Sequence, residues 1–416
     1  MSQTKQIVLT ANKGYFPHVI ALIKSYLAFN RDHTTFIIVH DVADPEDPSL
    51  KQIADEFVNC PSLKFDFICA NKQTLLDWGS HPELVDNPVM WRLLIPEFPY
   101  TGRILYIDVD ILFTGSIAEL FTQEDILKGK SIGVCVDLKD YQAKFQRKNP
   151  YDDPYFPDII RELPFGQTLD NAFFNAGVIL IDVEKIRKSL DPEKNLWQYH
   201  FPEYFSKGKF EGLDQTFLNI VHFNDKAILS SKYNFFSLFL SETRFYVDLA
   251  GWKDYPKALA EGKVEPPMYP SILHFLTISP AKAWDSPQKD FREMYNFYAK
   301  QSTSEILAKP ESYYLNMMVN YYDHYGYTPG LLDSSIYSKY LFNVTIEQVV
   351  KSVSPFARKW GVSPIFLNQF IYRARGLRKL LTKKKSGYVR RMAAVAEHAE
   401  KNFKSFEELA LEDKKK

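Results

Sequence analysis

Residues 103–115 constrain this chain more than any other stretch. Ile104, Leu105, Tyr106 and Ile107 form an unbroken apolar run, which reads as a strand buried on both faces, as in the middle of a parallel sheet. Asp108 and Asp110 follow at alternate positions, then Ile111, Leu112 and Phe113, and Thr114 and Gly115 turn the chain. Carboxylates beside a buried strand are costly unless they are paired or hold a cation. At the C-terminal end of a central strand they face the crevice where open α/β sheets bind ligands. Two hard oxygen ligands one residue apart suit Mg²⁺ or Mn²⁺ shared with a diphosphate. Asp-x-Asp also occurs by chance, and a solvated strand end carries it equally well. Its meaning depends on what the rest of the chain brings to it.

The flanking text supplies a sheet. Residues 6–10 read as a first strand. Val19, Ile20, Leu22, Ile23, Tyr26 and Leu27 follow at helical spacing, in a helix that Pro17 opens. A second strand at 36–39, a helix through Leu50, Ile53, Ala54 and Phe57, and a third strand at 65–69 complete a β-α-β-α-β rhythm. That rhythm predicts a parallel sheet with helices on both faces. A short helix at 88–94 carries Arg92. Further strands are expected at 132–136, 173–181 and 272–275, and helices at 117–121, 183–190, 197–205 and from Asp214 onward. Residues 137–169 turn polar and proline-rich, as a loop or lid over a site would.

At 416 residues the chain exceeds one ordinary domain. We expect an α/β domain over 1–300 and a helical extension over 310–416. A net charge of zero argues against general nucleic-acid affinity. The zero hides an asymmetry, because no acid stands between Glu347 and Glu397. Lys351, Arg358, Lys359, Arg373, Arg375 and Lys383 to Lys385 lie there among Phe366, Phe370, Ile371 and Leu377. That mixture suits attachment to an anionic membrane surface, although a solvated basic helix face would share it. Cys60, Cys69 and Cys135 give neither a disulfide framework nor zinc spacing, and Cys69 and Cys135 are expected in the core. The N-terminal residues lead straight into Ile7, Val8 and Leu9, with no signal-peptide pattern. The expected location is cytoplasmic, peripheral on the inner face of the cytoplasmic membrane.

Several polar residues interrupt buried runs. Asn175 lies between Phe173-Phe174 and an aliphatic stretch, and a buried amide must be hydrogen-bonded. An internally satisfied β-bulge is one explanation and a ligand contact another. Gly177 permits close backbone approach. Asp214 precedes a helix and would serve as a plain N-cap. His274 ends an apolar strand, where it is either a core residue or, beside two carboxylates, part of a mixed N/O site tolerated by Mn²⁺.

Taken in order, these pieces resemble the retaining glycosyltransferases of family 8, the group that contains bacterial lipopolysaccharide galactosyl- and glucosyltransferases and glycogenin. The likeness is carried by Asn12 to Tyr15, Trp91 to Pro96, Tyr106 to Asp110, Phe174 to Gly177, Leu213 to Gln215, and His274-Phe275 with Lys282 and Trp284. The resemblance implies a GT-A fold. It also implies that Thr10, Ala11, Asn12 and Tyr15 cradle a uridine, and that Asp108, Asp110 and His274, with Val109 between the acids, hold Mn²⁺ (or Mg²⁺) on the diphosphate. Arg92, Asn175, Ala176, Gly177, Asp214 and Gln215 would line the donor sugar, and Lys282 would neutralise the diphosphate. Asn175, Asp214 and Gln215 would be the catalytic groups. Gln215 is a poor nucleophile, so its oxygen suits stabilisation of an oxocarbenium-like centre, with front-face attack and retention. The implied activity is transfer of galactose or glucose from a UDP-sugar to a saccharide acceptor, lipid-linked as in lipopolysaccharide or lipooligosaccharide. The competing reading is a catalytically silent nucleotide-sugar or glycan-binding protein. The chain departs from the family at Asn12, where Asp is frequent. It departs again between His274 and Trp284, where it is two residues longer, lacks a glycine and has lost the proline after Lys282.

Overall fold

A computed structural model describes residues 4–137, 158–163, 165, 170–206, 212–237, 269–275, 282–285 and 289–326. The lid expected over 137–169 and the basic segment beyond 326 lie almost wholly outside these residues, as does the helical extension after Gly326.

The main sheet has seven strands: β1 (Lys5–Ala11), β2 (Thr34–His40), β3 (Leu63–Cys69), β4 (Arg103–Ile107), β6 (Ile132–Val136), β7 (Phe174–Asp182) and β8 (Lys226–Ile228). They lie side by side in the order β3-β2-β1-β4-β7-β6-β8. Only β7 runs against its neighbours, so the sheet is mostly parallel, as expected. A second sheet of three short strands joins β5 (Ile111–Phe113), β10 (Ile272–His274) and β9 (Phe235–Phe236).

Both faces of the main sheet are covered. Along β1, Ile7 and Leu9 enter one core and Val8 the other; along β4, Leu105 and Ile107 separate from Ile104 and Tyr106 in the same way. This is the two-residue period of a strand acting on an all-apolar run. One core holds the Phe16–Phe29 helix, and the other holds Met90, Trp91, Trp197 and Phe201. Tyr298, Ile306, Tyr314, Met317, Met318 and Tyr321, from three helices after residue 288, also pack into the first core. Cys135 is buried, but Cys69 is exposed. The strand order places β3 at the edge of the sheet, where Cys69, its last residue, faces water although its text is apolar. The helix after β7 is also shorter than its periodicity implied, covering only Val183–Ile186.

The reversal of β7 matters most. Its N-terminal residues lie beside the C-terminal end of β4, with Val178 opposite Ile107. Residues from the start of one strand and the end of another thereby meet at one edge.

Candidate active site

At that edge is a cavity of about 440 Å³. Thr10, Ala11, Asn12 and Tyr15 line it from the end of β1. Asp108, Val109 and Asp110 line it from the end of β4, and Asn175, Ala176 and Gly177 from the start of β7. Arg92, Asp214, Gln215, His274 and Lys282 complete the expected set, so every residue expected to bind the donor or the cation or to act in catalysis lines it. Asn87, Pro88, Val89 and Gly212 line it as well, without having been marked by any motif.

Asp108, Asp110 and His274 gather at one end, each offering a ligand atom within 4.8 Å of the others. After Asp110 the chain leaves the main sheet to form β5, and β5 pairs with β10 so that Ile111 faces His274. The Phe275 amide donates to the Asp110 carbonyl at 2.9 Å. His274 Nε2 is consequently 3.3 Å from Asp110 Oδ1 and 4.0 Å from Asp108 Oδ2. His274 is buried, and a Cβ on Gly177 would lie 2.3 Å from its Cε1, so only glycine allows this approach. Burial opposes ionisation of Asp110, but His274 and the Lys282 ammonium outweigh it and hold the carboxyl below its ordinary range. Two carboxylates and an imidazole are a donor set that a divalent cation such as Mn²⁺ accepts. Lys282 is fixed by its neighbour: Trp284 stacks on His18 of the first helix, ring centroids 3.6 Å apart.

Arg92 is the buried cation of the floor. Its Nη2 donates to Asp108 Oδ1 at 2.9 Å and its Nη1 to the Ala176 carbonyl at 2.6 Å. Its Nε lies 3.1 Å from Asp214 Oδ2. The guanidinium packs over the Tyr106 ring, whose hydroxyl donates to the same Asp108 oxygen at 2.8 Å. Burial pushes the Asp214 carboxyl up to about 6, beyond what Arg92 can reverse while shared with Asp108. Asp214 Oδ2 is buried and accepts no hydrogen bond. Asp214 is not the N-cap of its helix, as its position suggested. Gly212, with φ of 75°, takes that place, and Asp214 stands inside the first turn of Leu213–Val221. The left-handed conformation at Gly212 turns the chain so that Asp214 and Gln215 face the cavity.

The other end is a web of amides. The β6–β7 pairing slips between Val134 and Cys135, so that Ile179 pairs with Val134 but Asn175 with Cys135. The expected bulge is therefore present, and it is also part of the cavity wall. Gln215 Oε1 accepts from the Ala176 amide and from Asn175 Nδ2, both at 3.1 Å. Asp137 Oδ2 accepts from Gln215 Nε2 at 3.0 Å and Asn175 Nδ2 at 3.2 Å. Asn234 joins Asn175 to His274. Sequence reading missed Asp137 and Asn234. Asp137 follows a buried strand as Asp108 does, which was a usable signal; Asn234 carried none.

The family profile described as glycosyl transferase family 8 matches residues 6–288. The chain belongs to this family. Among curated relatives of this chain, glycosyltransferase GlyA of Streptococcus pneumoniae is 25% identical over 315 residues, covering 73% of this chain and 36% of GlyA. Glycosyltransferase GlyF of the same organism is 26% identical over 303 residues, covering 73% of this chain and 63% of GlyF. The chain thus spans less than two thirds of either relative. Among solved structures, the bifunctional glycosyltransferase WbbM in its apo form superposes with a TM-score of 0.53 at 18% identity, over 74% of this chain and 52% of that one. That likeness concerns the fold, a GT-A arrangement. Among the described residues no helix is long and apolar enough to cross a membrane.

Proposed function

We propose that this transferase moves a hexose, galactose or glucose, from a UDP-sugar to a saccharide acceptor with retention of anomeric configuration. The carrying observation is one cavity lined both by the group Asp108, Asp110 and His274 and by the group Asn175, Asp214 and Gln215. A diphosphate needs the first group and a sugar ring the second, and a nucleoside diphosphate sugar joins the two.

Asp108, Asp110 and His274 would hold Mn²⁺ or Mg²⁺, which when bound neutralises charge on the departing UDP. The remaining work falls to side chains. Thr10 to Asn12 and Tyr15 bind the nucleoside. Lys282 reaches the same cavity from above Asp110 and adds positive charge where the leaving group gathers negative charge. Arg92 orients Asp108 and Asp214 rather than meeting the sugar with a free charge. Asp214, whose Oδ2 is ion-paired with Arg92 in the cavity wall, would meet a sugar hydroxyl. Gln215, its Oε1 held by Ala176 and Asn175 in the cavity wall, would stabilise a developing oxocarbenium centre. An amide held on both sides stabilises charge and does not attack, which favours front-face transfer. The basic segment over 351–391 places the enzyme on the anionic inner face of the cytoplasmic membrane, beside a lipid-linked acceptor.

Incubation with a panel of UDP-sugars and Mn²⁺, without acceptor, should release UDP from UDP-galactose or UDP-glucose. Nucleotide binding without hydrolysis of any donor would instead indicate a silent binding protein. Proton NMR of the first glycoside formed should show an α product from the α donor, and a β product would exclude retention. Sedimentation with anionic liposomes should be lost when residues after Ser352 are deleted.

A further inference from the structure

Asn234 stands immediately before β9, after the short 3₁₀ turn Ser231–Tyr233, and its side chain is fully buried. Pairing of β9 with β10 sets Phe236 opposite His274, which brings Asn234 under the imidazole. The direction of every hydrogen bond around it follows from backbone amides, which can only donate. Gly177 N–H donates to one terminal atom of Asn175 at 2.9 Å, so that atom is the oxygen. Ala176 N–H independently fixes Gln215 Oε1 as an oxygen, so the Asn175 atom facing it at 3.1 Å is the amide nitrogen. The two results agree. Asn175 Oδ1 accepts only, so Asn234 must turn its nitrogen toward it, at 2.9 Å. Asn234 then turns its oxygen to His274 Nδ1, at 2.8 Å. An amide oxygen accepts only, so Nδ1 carries the hydrogen. In a neutral imidazole the other nitrogen then holds a lone pair. That nitrogen, Nε2, faces Asp110 Oδ1 at 3.3 Å.

We infer that Asn234 is a positioning residue for the cation site: it fixes the tautomer of His274, so that Nε2 is the nitrogen offered to a divalent cation. It acts through His274 and touches neither cation nor substrate. Through Asn175 it also ties the cation end to Gln215 at the sugar end, so the two halves share one hydrogen-bond direction. The inference rests on the metal reading above. It goes beyond the ligands themselves to the residue that readies one of them.

The test uses the full chain, metal-free, with histidine labelled in nitrogen-15. His274 is assigned by its loss in His274→Gln. Its spectrum, recorded with the imidazole neutral, should show a protonated Nδ1 and a pyridine-type Nε2. Direct titration with Mn²⁺ should show Asn234→Ala binding about 10–100-fold more weakly than wild type, the usual effect of removing such a partner. Asn234→Asp keeps an oxygen on Nδ1–H but loses the donor to Asn175 Oδ1, so it should recover part of the affinity lost in Asn234→Ala. A neutral wild-type His274 with its proton on Nε2 and none on Nδ1 overturns the inference, and so does a folded Asn234→Ala chain with undiminished Mn²⁺ affinity. Should the alanine variant fail to fold, the wild-type spectrum and Asn234→Asp decide. A wild-type chain that takes up no Mn²⁺ gives a different result: the metal reading itself falls, and the inference with it.

Discussion

The tightest constraint in the site is the contact between Gly177 and His274, and the substitution Gly177→Ala tests it. An ideal Cβ at Gly177 lies 2.3 Å from His274 Cε1 and 2.9 Å from both His274 Nδ1 and Asn175 Oδ1. A relaxed carbon–carbon contact needs about 3.5–4.0 Å, so something must retreat by more than about 1 Å. The backbone cannot: the Gly177 carbonyl accepts from Asp108 N–H at 2.8 Å, and Val178 is in register with Ile107. The imidazole must therefore move, and metal sites tolerate only about 0.2 Å of ligand displacement. Overpacking should cost about 1–3 kcal/mol of stability. A misplacement of this size should cost about 10²-fold in turnover. Thermal melting, Mn²⁺ titration and UDP-sugar hydrolysis, measured together, separate these effects. The expected variant is folded, somewhat less stable, and impaired in Mn²⁺ binding and turnover. A folded Gly177→Ala chain with wild-type Mn²⁺ affinity and turnover would refute the reasoning, because the methyl would have been accommodated without moving His274.

Asp108→Ala and Asp110→Ala should each lower UDP-sugar turnover by about 10²–10³-fold, with Asp110→Ala leaving a folded chain; full activity of either in chelator would exclude the metal assignment. Lys282→Ala should reduce turnover more than UDP affinity, as steady-state kinetics and nucleotide titration would show; if neither changes, another cation serves the diphosphate. Asp214, raised to about 6, gains a proton as pH falls through that value, so turnover should decline on the acid side and Asp214→Asn should remove that limb from the pH profile. The same raised value means that the folded chain binds this proton more tightly than the unfolded one. Its contribution to stability should therefore rise as pH falls from about 6 toward the ordinary 3.8, which acid melts of wild type against Asp214→Asn would show.

The sequence by itself determined the long buried strands but not the short β5, β8 and β9, because a long apolar run fits a sheet covered on both faces, and alternate residues of β1 and β4 do enter opposite cores. It also marked the polar residues that break such runs, from Asp108 to His274, since a buried carboxylate or amide requires a partner whatever the fold. Which partner it receives is a different matter. An apolar run reads the same in either direction, so nothing local told that β7 runs backward, although that reversal is what sets Gly177 beside Asp108. Strand order decided that Cys69 lies at an edge and is exposed. The left-handed turn at Gly212 moved Asp214 from a helix cap into the cavity wall. Asn234 sits in no motif and became part of the site only when β9 paired with β10 beneath His274. Local text carries the demand for a hydrogen bond or a charge; only the folded chain, by bringing distant strands to one edge, decides which residue meets it.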